Sequence, residues 1–574
     1  MKKKLFLGDE AIAQAAIDAG LSGAYSYPGT PSTEITEYII NSLTAKEQGI
    51  IAQWCSNEKT ALETALGMSY SGKRTISCMK HVGLNVAADA FMNIAMTGIS
   101  GGMIIVSADD PSMHSSQNEQ DSRVYGNFAM LPMFEPSNQQ EAYDMVYEGY
   151  ELSEKFGYPF LVRLTTRMAH SRAGVETKDI KPQNATVNMD ENARQQYILL
   201  PANARKRFKL LIEKQQEFLD ASENSKYNKL YLVNGERYAV HGERCTVDGE
   251  RYAVHGTRCT VQDDENPDRA PITAHRAPVG IIACGIAFNY LQENYPDGFE
   301  HPVLKISQYP LPKKLLFQFI DSCEEILVLE DGYPVVEKQL KGYLGIGLKV
   351  HGRLDGTLPQ DGELNPDKVR KALGLEPASY YPVPEIVAMR PPALCVGCGH
   401  RDVFEALNDV LKEYATAKVF SDIGCYTLGA LPPFRSIDSC VDMGASITMA
   451  KGAAEGGIFP SVAVIGDSTF THSGMTGLLD CVNANANVLI IISDNETTGM
   501  TGGQDSAATG RIHEICKGIG VSPEHLHAIV PLKKNFEEMK ALIQKEIEYP
   551  GVSVIVPCRE CLQTYARKVK QRKL

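Results

Sequence analysis

The stretch from Ser461 to Gln504 reads SVAVIGDSTFTHSGMTGLLDCVNANANVLIIISDNETTGMTGGQ, and its pattern predicts a strand, a helix and a second strand. Residues 462–465 and 488–492 are apolar and largely β-branched, which is typical of buried strands, and apolar residues recur at helical spacing between them. A crossover of this kind makes the two strands parallel and brings their carboxyl ends to one edge of the sheet. We therefore expect Gly466-Asp467-Ser468 and Asp494-Asn495 to face each other across a crevice, where ligands bind in open α/β sheets.

The residue types at this crevice indicate an anionic ligand with a bound cation. Gly466 allows a close approach of the backbone, and the helix that follows Ser468 directs its amino terminus towards phosphate. Asp467 and Asn495 supply the hard oxygen ligands that suit Mg²⁺. A diphosphate bridged by Mg²⁺ satisfies all of these features.

The same stretch resembles the thiamine diphosphate (ThDP) fingerprint, in which Gly-Asp-Gly is followed further along the chain by Asn-Asn. This sequence departs from it twice, with Gly-Asp-Ser and Asp-Asn, but it keeps the ligand positions. The resemblance implies that Asp467, the Asn495 side chain and the Thr497 carbonyl bind Mg²⁺. An ordinary βαβ unit with a solvated Asp467 in its turn is the alternative.

Composition describes an ordinary enzyme rather than a nucleic-acid or membrane protein. The 574 residues suggest about four domains by length alone. A net charge of −13 argues against anionic partners. The start of the chain does not resemble a signal peptide, and no run is long enough to span a membrane, so we expect a cytosolic protein. Its 14 cysteines then indicate reduced thiols, metal ligation or iron–sulfur ligation.

Residues 1–178 are predicted to form one α/β domain. A helix is expected over residues 8–20 and a strand over 23–27, ending at the turn Tyr27-Pro28-Gly29-Thr30-Pro31-Ser32. Ser32 or Thr33 would cap the helix that begins near Glu34, which leaves Thr30 exposed on the loop. A turn of purely structural importance explains the local sequence equally well.

Glu58 is predicted in the first turn of the next helix. Asn57 would cap that helix, whose inner face consists of Ala61, Leu62, Ala65 and Leu66. A carboxylate there could simply complement the helix dipole. In a ThDP enzyme it could instead bind the aminopyrimidine ring and drive the imino tautomer that removes the thiazolium C2 proton.

Two further segments of this domain are predicted to lie at the same sheet edge. Residues 79–89 follow a strand over 75–78 and form a cofactor-facing loop that opens a helix. Residues 109–120 follow a strand over 102–108 and form a polar loop too long for a simple turn. Function, disorder and a solvated connector all remain possible for this second loop, which includes His114.

Four motifs identify the family that this domain resembles: YPGTPSTE, NEKTALETALG, MKHVGLNVAAD and SADDPSMHSSQNEQDSR. They resemble the pyrimidine-binding domain of the 2-oxoacid:ferredoxin oxidoreductases, specifically of the large subunits of the indolepyruvate branch. The resemblance implies that Glu58 is the aminopyrimidine partner and that Thr30 lies on the substrate side. Glu63 is the competing carboxylate.

Residues 179–277 are predicted to be a linker with an insertion. A charged helical stretch covers residues 202–220, and residues 233–261 repeat the pattern V-x-G-[ET]-R-[YC]-[AT] every seven residues. Asn-Gly and Asp-Gly pairs suit hairpin turns, so a small β-meander and disorder are both possible. The recurring His241, His255, Cys245 and Cys259 could bind a metal, but tandem duplication explains them more simply.

Residues 278–353 are predicted to form a compact middle α/β domain, and the Pro-rich residues 354–393 link it to the last domain. The expected elements of the middle domain are strands over 280–284, 303–306 and 325–330 and a helix over 287–295. The resemblance implies a domain like the carboxyl-terminal domain of transketolase, which positions the two cofactor domains and is not catalytic.

Residues 394–574 are predicted to be the diphosphate-binding domain, and they begin with the motif Cys395-Val396-Gly397-Cys398. Such a motif suits zinc, iron–sulfur or redox chemistry. The family resemblance implies a [4Fe–4S] cluster held by Cys395, Cys398, Cys425 and Cys558. A structural zinc site or free thiols are the alternatives.

The fold class expected from these patterns is therefore α/β, with three domains of mainly parallel sheets. The resemblance implies oxidative decarboxylation of aryl 2-oxoacids such as indolepyruvate, with coenzyme A as acyl acceptor, ferredoxin as electron acceptor and a small β-type partner subunit. We also expect the ferredoxin-like domain usual in such large subunits to be absent. The competing functions are a non-oxidative aryl-pyruvate decarboxylase and a ThDP-binding subunit without turnover.

Overall fold

The protein is described here by a computed structural model. Its described residues are 3–186, 196–231, 277–342, 349–359, 361–378, 382, 384–387, 392–440, 443–455 and 457–571, together with the short strands named below over residues 245–274. The chain forms two compact units, one of residues 1–53 and 58–380 and the other of residues 54–57 and 381–574.

The first unit contains a seven-stranded sheet. In spatial order its strands are Gln308–Tyr309, Met133–Phe134, Phe160–Thr165, Met103–Asp109, Thr75–Lys80, Gly23–Ser26 and Ile51–Trp54. The five from Met133–Phe134 to Gly23–Ser26 are parallel, and Gln308–Tyr309 is antiparallel to its neighbour. Strands such as Met103–Asp109 are buried along their whole length, which is why they read as nearly continuous apolar runs.

Helices cover this sheet, and the first of them is almost wholly buried. The helices are Gly8–Asp18, Thr33–Asn41, Leu43–Glu47, Glu58–Tyr70, His81–Val86, Ala88–Thr97, Ser122–Ala129, Gln139–Phe156, Thr166–His170 and Pro201–Glu223. An antiparallel ribbon joins Lys3–Leu7 to Arg172–Glu176. On the helix that begins at Glu58, Ser69 is buried and Leu66 only half-buried, so the predicted inner face is wrong at Leu66.

A five-stranded sheet completes the first unit. Its order is Lys349–His351, Cys323–Leu329, Ala277–Cys284, Val303–Ile306 and Lys229–Tyr231, with only the last strand antiparallel to its neighbour. Its helices are Ala287–Asn294, Lys313–Asp321, Val335–Lys341 and Pro366–Ala372.

Buried ion pairs tie this second sheet to the first. Arg123 Nη1 lies 2.9 Å from Glu330 Oε2, and Arg163 donates 2.8 Å to the Asp331 carbonyl and 2.5 Å to Glu135 Oε1. All of these side chains are buried. Because a buried charge is stable only when paired, the network fixes how the two sheets of this unit pack.

Most of the repeat over residues 233–261 lies outside the described residues, including both repeat histidines. Two antiparallel strand pairs are described: Cys245–Val247 with Glu250–Tyr252, and Cys259–Val261 with Ile272–Ala274. The first pair flanks Asp248-Gly249, where the sequence predicts a hairpin turn.

The second unit contains a six-stranded parallel sheet. Its order is Ser439–Cys440, Lys418–Ser421, Ser461–Gly466, Val488–Ser493, Val552–Pro557 and Leu526–Ile529. Alternate residues of one strand pack into different cores, Val462 and Val464 on one face and Ala463 and Ile465 on the other. Both faces of the sheet are therefore covered, and the predicted α/β fold class is confirmed.

The helices of the second unit are Gly399–Leu411, Ala445–Glu455, Met475–Ala484, Ile512–Ile519, Phe536–Glu548 and Leu562–Gln571. Asp467–Thr469 and a π-helical turn, Phe470–Gly474, lead directly into Met475–Ala484. Short 3₁₀ turns lie at Cys425–Ala430, Gly499–Thr501, Pro523–His525 and Lys533–Asn535, and Thr497–Thr498 pairs with Gln504–Asp505. Across the described chain, no helix is long and apolar enough to cross a membrane.

Candidate cofactor site

The two segments predicted to form the crevice lie next to each other at the carboxyl edge of the six-stranded sheet. Gly466 and Ser493 are partners in adjacent parallel strands, so Asp467 and Asp494 leave the sheet side by side. The two loops are joined by a hydrogen bond of 3.0 Å between the Ser468 and Thr498 hydroxyls. The βαβ arrangement thus brings the candidate ligand residues to one edge.

Asp467 is buried, and no described residue donates a hydrogen bond to its Oδ2 atom. Its pKa is raised to about 7, mainly by burial and also by the nearby Asp494 charge. A buried carboxylate oxygen without a donor is costly unless a proton or a cation compensates it. The environment of Asp467 therefore fits a metal ligand.

Asn495 and Thr497 form a tight turn beside it. Asn495 Oδ1 accepts a hydrogen bond of 3.1 Å from the Thr497 amide, and Glu496 between them has a left-handed φ of 60°. An amide oxygen has two lone pairs, so Asn495 Oδ1 keeps one for a cation. This turn fixes the Asn495 side chain next to the Asp467 loop.

Gly466 also has a packing role that the sequence pattern did not indicate. A Cβ atom at this position would stand 2.6 Å from the Tyr426 ring, and one at Gly424 would overlap the same ring. Tyr426 is buried, and its hydroxyl donates to Asp422. Gly466 is therefore required by the packing of Tyr426, whatever ligand lies outside. The helical run also begins at Asp467 rather than after Ser468.

Four thiols line one cavity next to this crevice. The cavity measures about 90 Å³, and its lining includes Cys395, Cys398, Cys425 and Cys561, together with Asn495 of the candidate magnesium loop. Gly397 has a left-handed φ of +81°, which allows the turn that joins Cys395 to Cys398. Gly499 leaves room for Cys425, since a Cβ there would be 3.0 Å from its sulfur.

Cys558 does not line this cavity. Its thiol donates to Asp494 Oδ2 over 3.6 Å, while the Cys561 amide donates 3.0 Å to the Asn495 carbonyl. The chain after the strand Val552–Pro557 thus follows the Asp494-Asn495 turn and brings Cys561 to the other three thiols. The structure groups Cys561, and not the Cys558 expected from the resemblance, with Cys395, Cys398 and Cys425.

The electrostatics of these thiols fit a cation or cluster ligand set. Burial raises the pKa of Cys425 to about 12, with smaller contributions from Cys398, Cys561 and Cys395. The pKa of Cys398 is also raised, mainly by burial. Thiols that resist ionisation because they are buried together are stabilised as thiolates by a bound metal.

In the first unit, Glu58 begins the helix Glu58–Tyr70 as predicted, and it is 5% exposed. A Cβ atom on Gly83 would stand 2.6 Å from both Cγ and Oε1 of Glu58. Glu63 is half-exposed and forms an ion pair of 2.5 Å with Lys59. Of the two carboxylates, only Glu58 has the buried environment that a proton-sharing role requires.

Thr30 lies half-buried in a turn that contacts the loop of residues 109–120. Ser32 occupies the cap position of the next helix, but its hydroxyl donates to the Gly29 carbonyl rather than accepting a capping bond, so that expected cap is wrong. The Ser115 hydroxyl lies 3.4 Å from the Thr30 carbonyl. Asp110 anchors the second loop by accepting from Ser115 and Ser116.

Lys80 connects these loops, and the sequence patterns did not single it out. Its ammonium donates to the Ser115 carbonyl at 2.8 Å and to the Ser115 hydroxyl at 3.2 Å. Gly29 packs against it, since a Cβ there would be 3.3 Å from Lys80 Cβ. Burial lowers the pKa of Lys80 to about 8, and Asp110 opposes that shift. In the sequence, the only indication of a role for Lys80 was its position at the end of a predicted strand.

Comparison with known families defines the class of protein. Residues 14–230 match the pyruvate flavodoxin/ferredoxin oxidoreductase family of thiamine diphosphate-binding domains. Residues 422–556 match the carboxyl-terminal TPP-binding domain of thiamine pyrophosphate enzymes. The protein is thus a ThDP-dependent 2-oxoacid oxidoreductase.

Curated relatives define the branch. Indolepyruvate oxidoreductase subunit IorA of Archaeoglobus fulgidus is 36% identical over 99% of this chain and 88% of its own length. The protein of the same name from Methanothermobacter thermautotrophicus is 36% identical over 97% of this chain and 87% of its own length. That from Pyrococcus abyssi is 35% identical over 98% of this chain and 86% of its own length. The chain belongs to this IorA family.

A solved structure of 2-oxoglutarate:ferredoxin oxidoreductase from Magnetococcus marinus aligns with a TM-score of 0.44 at 17% identity. The alignment covers 61% of this chain and 62% of that one.

Proposed function

We propose that the protein oxidatively decarboxylates an aryl 2-oxoacid, indolepyruvate, to the acyl-CoA with reduction of ferredoxin. The names of its relatives support the substrate. The observation that carries the proposal is the crevice itself, where the buried, donor-free Asp467 oxygen lies next to a cavity lined by four thiols. Both a metal-bound diphosphate and a one-electron carrier are needed for this reaction, and the second unit offers a place for each.

When bound, ThDP supplies the carbanion that attacks the keto carbon and the electron sink that allows CO₂ to leave. Asp467, the Asn495 side chain and the Thr497 carbonyl hold its Mg²⁺, and Gly466 and Ser468 flank the diphosphate. In the first unit, Glu58 holds a proton shared with the aminopyrimidine ring. Its burial against Gly83 fixes the carboxyl group for that transfer.

The substrate side of the first unit is formed by Thr30. Its turn is held by Ser115 and, through Ser115, by Lys80. Thr30 contacts the 2-oxoacid, and Lys80 acts as a positioning residue behind it. A buried ammonium that donates twice to one loop suits that supporting role.

A [4Fe–4S] cluster is held by Cys395, Cys398, Cys425 and a fourth thiol. Cys558 is the residue named by family resemblance, and Cys561 is the residue that the cavity favours. A cluster held by these thiols would supply the one-electron transfer that ferredoxin requires. A small β-type subunit is the proposed partner, in a heterodimer or heterotetramer.

A reducing compartment suits four free thiols, and we propose the cytoplasm.

Anaerobic turnover tests the reaction. Indolepyruvate, phenylpyruvate and pyruvate are each supplied with coenzyme A and ferredoxin, with and without the partner subunit. Acyl-CoA formation coupled to ferredoxin reduction, fastest with indolepyruvate, supports the proposal. Aldehyde release without ferredoxin reduction identifies a non-oxidative decarboxylase, and cofactor binding without decarboxylation identifies a subunit without turnover.

Iron and acid-labile sulfide analysis tests the cluster separately. About four of each per chain are expected for one [4Fe–4S] cluster. Cys561→Ser should lose the cluster absorbance, whereas Cys558→Ser should keep it. The opposite result restores Cys558 as the ligand, and zinc or no metal in the wild-type protein refutes the cluster.

A further inference from the structure

Three metal-binding side chains meet in the first unit, within the N-terminal region. Asp9 lies in the first turn of the helix Gly8–Asp18, Glu34 in the first turn of Thr33–Asn41, and His170 at the end of Thr166–His170. One ligand atom from each lies within 4.8 Å of the others. Three separate helices thus converge on one point.

The packing of the helix that carries Asp9 is tight. Gly8 lies so close to the Met168 carbonyl that a Cβ atom would overlap it. The start of the first helix is therefore held against the short helix that carries His170.

Asp9 is fully buried, and within the described part of the chain neither of its carboxylate oxygens receives a hydrogen bond. Glu34 Oε2 is likewise buried without a hydrogen-bond partner among described residues. The remaining Glu34 oxygen, Oε1, lies 3.6 Å from His170 Nε2. Burial, and then the charge of Glu34, raise the pKa of Asp9 well above its ordinary value.

The fully buried Asp9 carboxyl group, next to the buried Oε2 atom of Glu34, needs either a shared proton or a bound cation. We propose that Asp9, Glu34 and His170 bind a divalent first-row transition metal ion. Two carboxylates and one imidazole are a common ligand set for such ions, whereas Mg²⁺ and Ca²⁺ prefer oxygen ligands alone. His170 is about one-third exposed, which provides an entry path and room for water ligands.

The ion would tie together the beginnings of two helices and the end of a third. Glu34 follows the turn that carries Thr30, and the Gly29 amide donates 3.0 Å to Thr33 Oγ1 at the start of the same helix. An ion that holds Glu34 in place therefore also holds the start of the helix Thr33–Asn41, to which the Thr30 turn is hydrogen-bonded. The site is structural, and all three of its ligand residues belong to the first unit.

Mn²⁺ is the probe, because it is paramagnetic and binds weakly to thiolates. The 574-residue protein is first treated with a chelator and then given excess Mg²⁺, which fills the sites that accept oxygen ligands alone. Mn²⁺ binding is then measured by electron paramagnetic resonance, and spin-echo modulation reports coupling to imidazole nitrogen.

The wild-type protein should bind one Mn²⁺ per chain with nitrogen coupling, and its melting temperature should rise on binding. His170→Ala should lose the coupling, and Asp9→Asn should lose the ion. Glu10→Gln is the matched control, because Glu10 lies next to Asp9 but accepts from the Leu7 amide at 2.8 Å.

Equal Mn²⁺ binding by the wild-type protein and Asp9→Asn would overturn the proposal. So would a wild-type protein that binds no Mn²⁺, which would show that Asp9 and Glu34 share a proton. If Asp9→Asn fails to fold, Glu34→Gln and the surface variant His170→Ala still decide the result.

Discussion

The Glu58 carboxyl group lies directly against the backbone of Gly83. A Cβ atom at position 83 would stand 2.6 Å from both Cγ and Oε1 of Glu58, a separation that real Cβ contacts essentially never show. Glu58 begins one helix and Gly83 lies within the next short one, His81–Val86. The absence of a side chain at Gly83 therefore determines where the buried carboxyl group sits.

Gly83→Ala should displace Glu58 and slow cofactor activation without unfolding the protein, since overpacking of this kind costs about 1–3 kcal/mol. The rate of hydrogen exchange at C2 of bound ThDP measures the effect. Gly67→Ala is the control, because Gly67 lies within the Glu58–Tyr70 helix and a Cβ there meets nothing within 4 Å. Equal exchange rates in both variants would show that Gly83 does not position Glu58.

Glu58→Gln should leave ThDP binding largely intact and slow C2 exchange by about 10²–10⁴-fold, because an amide cannot share the proton. Glu63→Gln should change neither quantity, since Glu63 is half-exposed and paired with Lys59. If C2 exchange proceeds at the wild-type rate in Glu58→Gln and slowly in Glu63→Gln, then Glu63 is the residue that shares the proton with the cofactor.

Asp467→Ala and Asn495→Ala should each weaken Mg²⁺-dependent ThDP binding by more than about 100-fold, because even outer-shell partners of metal ligands cost about 10–100-fold. Binding is measured by calorimetry at fixed Mg²⁺. Asp480→Ala, an exposed carboxylate on the helix Met475–Ala484, is the control and should bind normally. Unchanged affinity in both test variants would refute the magnesium assignment.

The sequence was sufficient to predict the strands on which this crevice depends. Parallel strands covered on both faces are apolar along their whole length, so the strands Ser461–Gly466 and Val488–Ser493 were recognisable as continuous runs. Their parallel pairing then followed from the single helix between them. Glu58 was placed in the first turn of its helix for a similarly local reason.

Features that depend on contacts distant in sequence could not be predicted. Lys80 and Ser115 meet because loops after two different strands approach each other, and no spacing in the chain reports that. Gly466 was interpreted as a ligand contact because its packing partner, Tyr426, is distant in sequence. Cys558 and Cys561 differ by three positions, and only the path of the chain after the strand decides which thiol faces the cavity.

Lys80 gives a prediction with a defined pH range. Its pKa in the folded protein is about 8, below the ordinary 10.5, because it is buried. Above pH 8 the folded protein has released this proton while an unfolded chain still holds it, so the unfolding free energy contributed by Lys80 rises between pH 8 and 10.5. Function should change in the opposite direction, because a neutral amine makes weaker hydrogen bonds to Ser115 than the ammonium does.

Lys80→Met should lower kcat/KM for indolepyruvate at pH 7 by about 10- to 100-fold, the equivalent of one charge-assisted hydrogen bond of about 1.5–3 kcal/mol. The wild-type value should fall as pH rises through 8, and the variant should lack that decline. Lys46→Met, at an exposed position on Leu43–Glu47, is the control and should keep the wild-type profile. Parallel pH profiles for the wild-type protein and Lys80→Met would show that the ammonium of Lys80 does not hold the Thr30 turn in its working position.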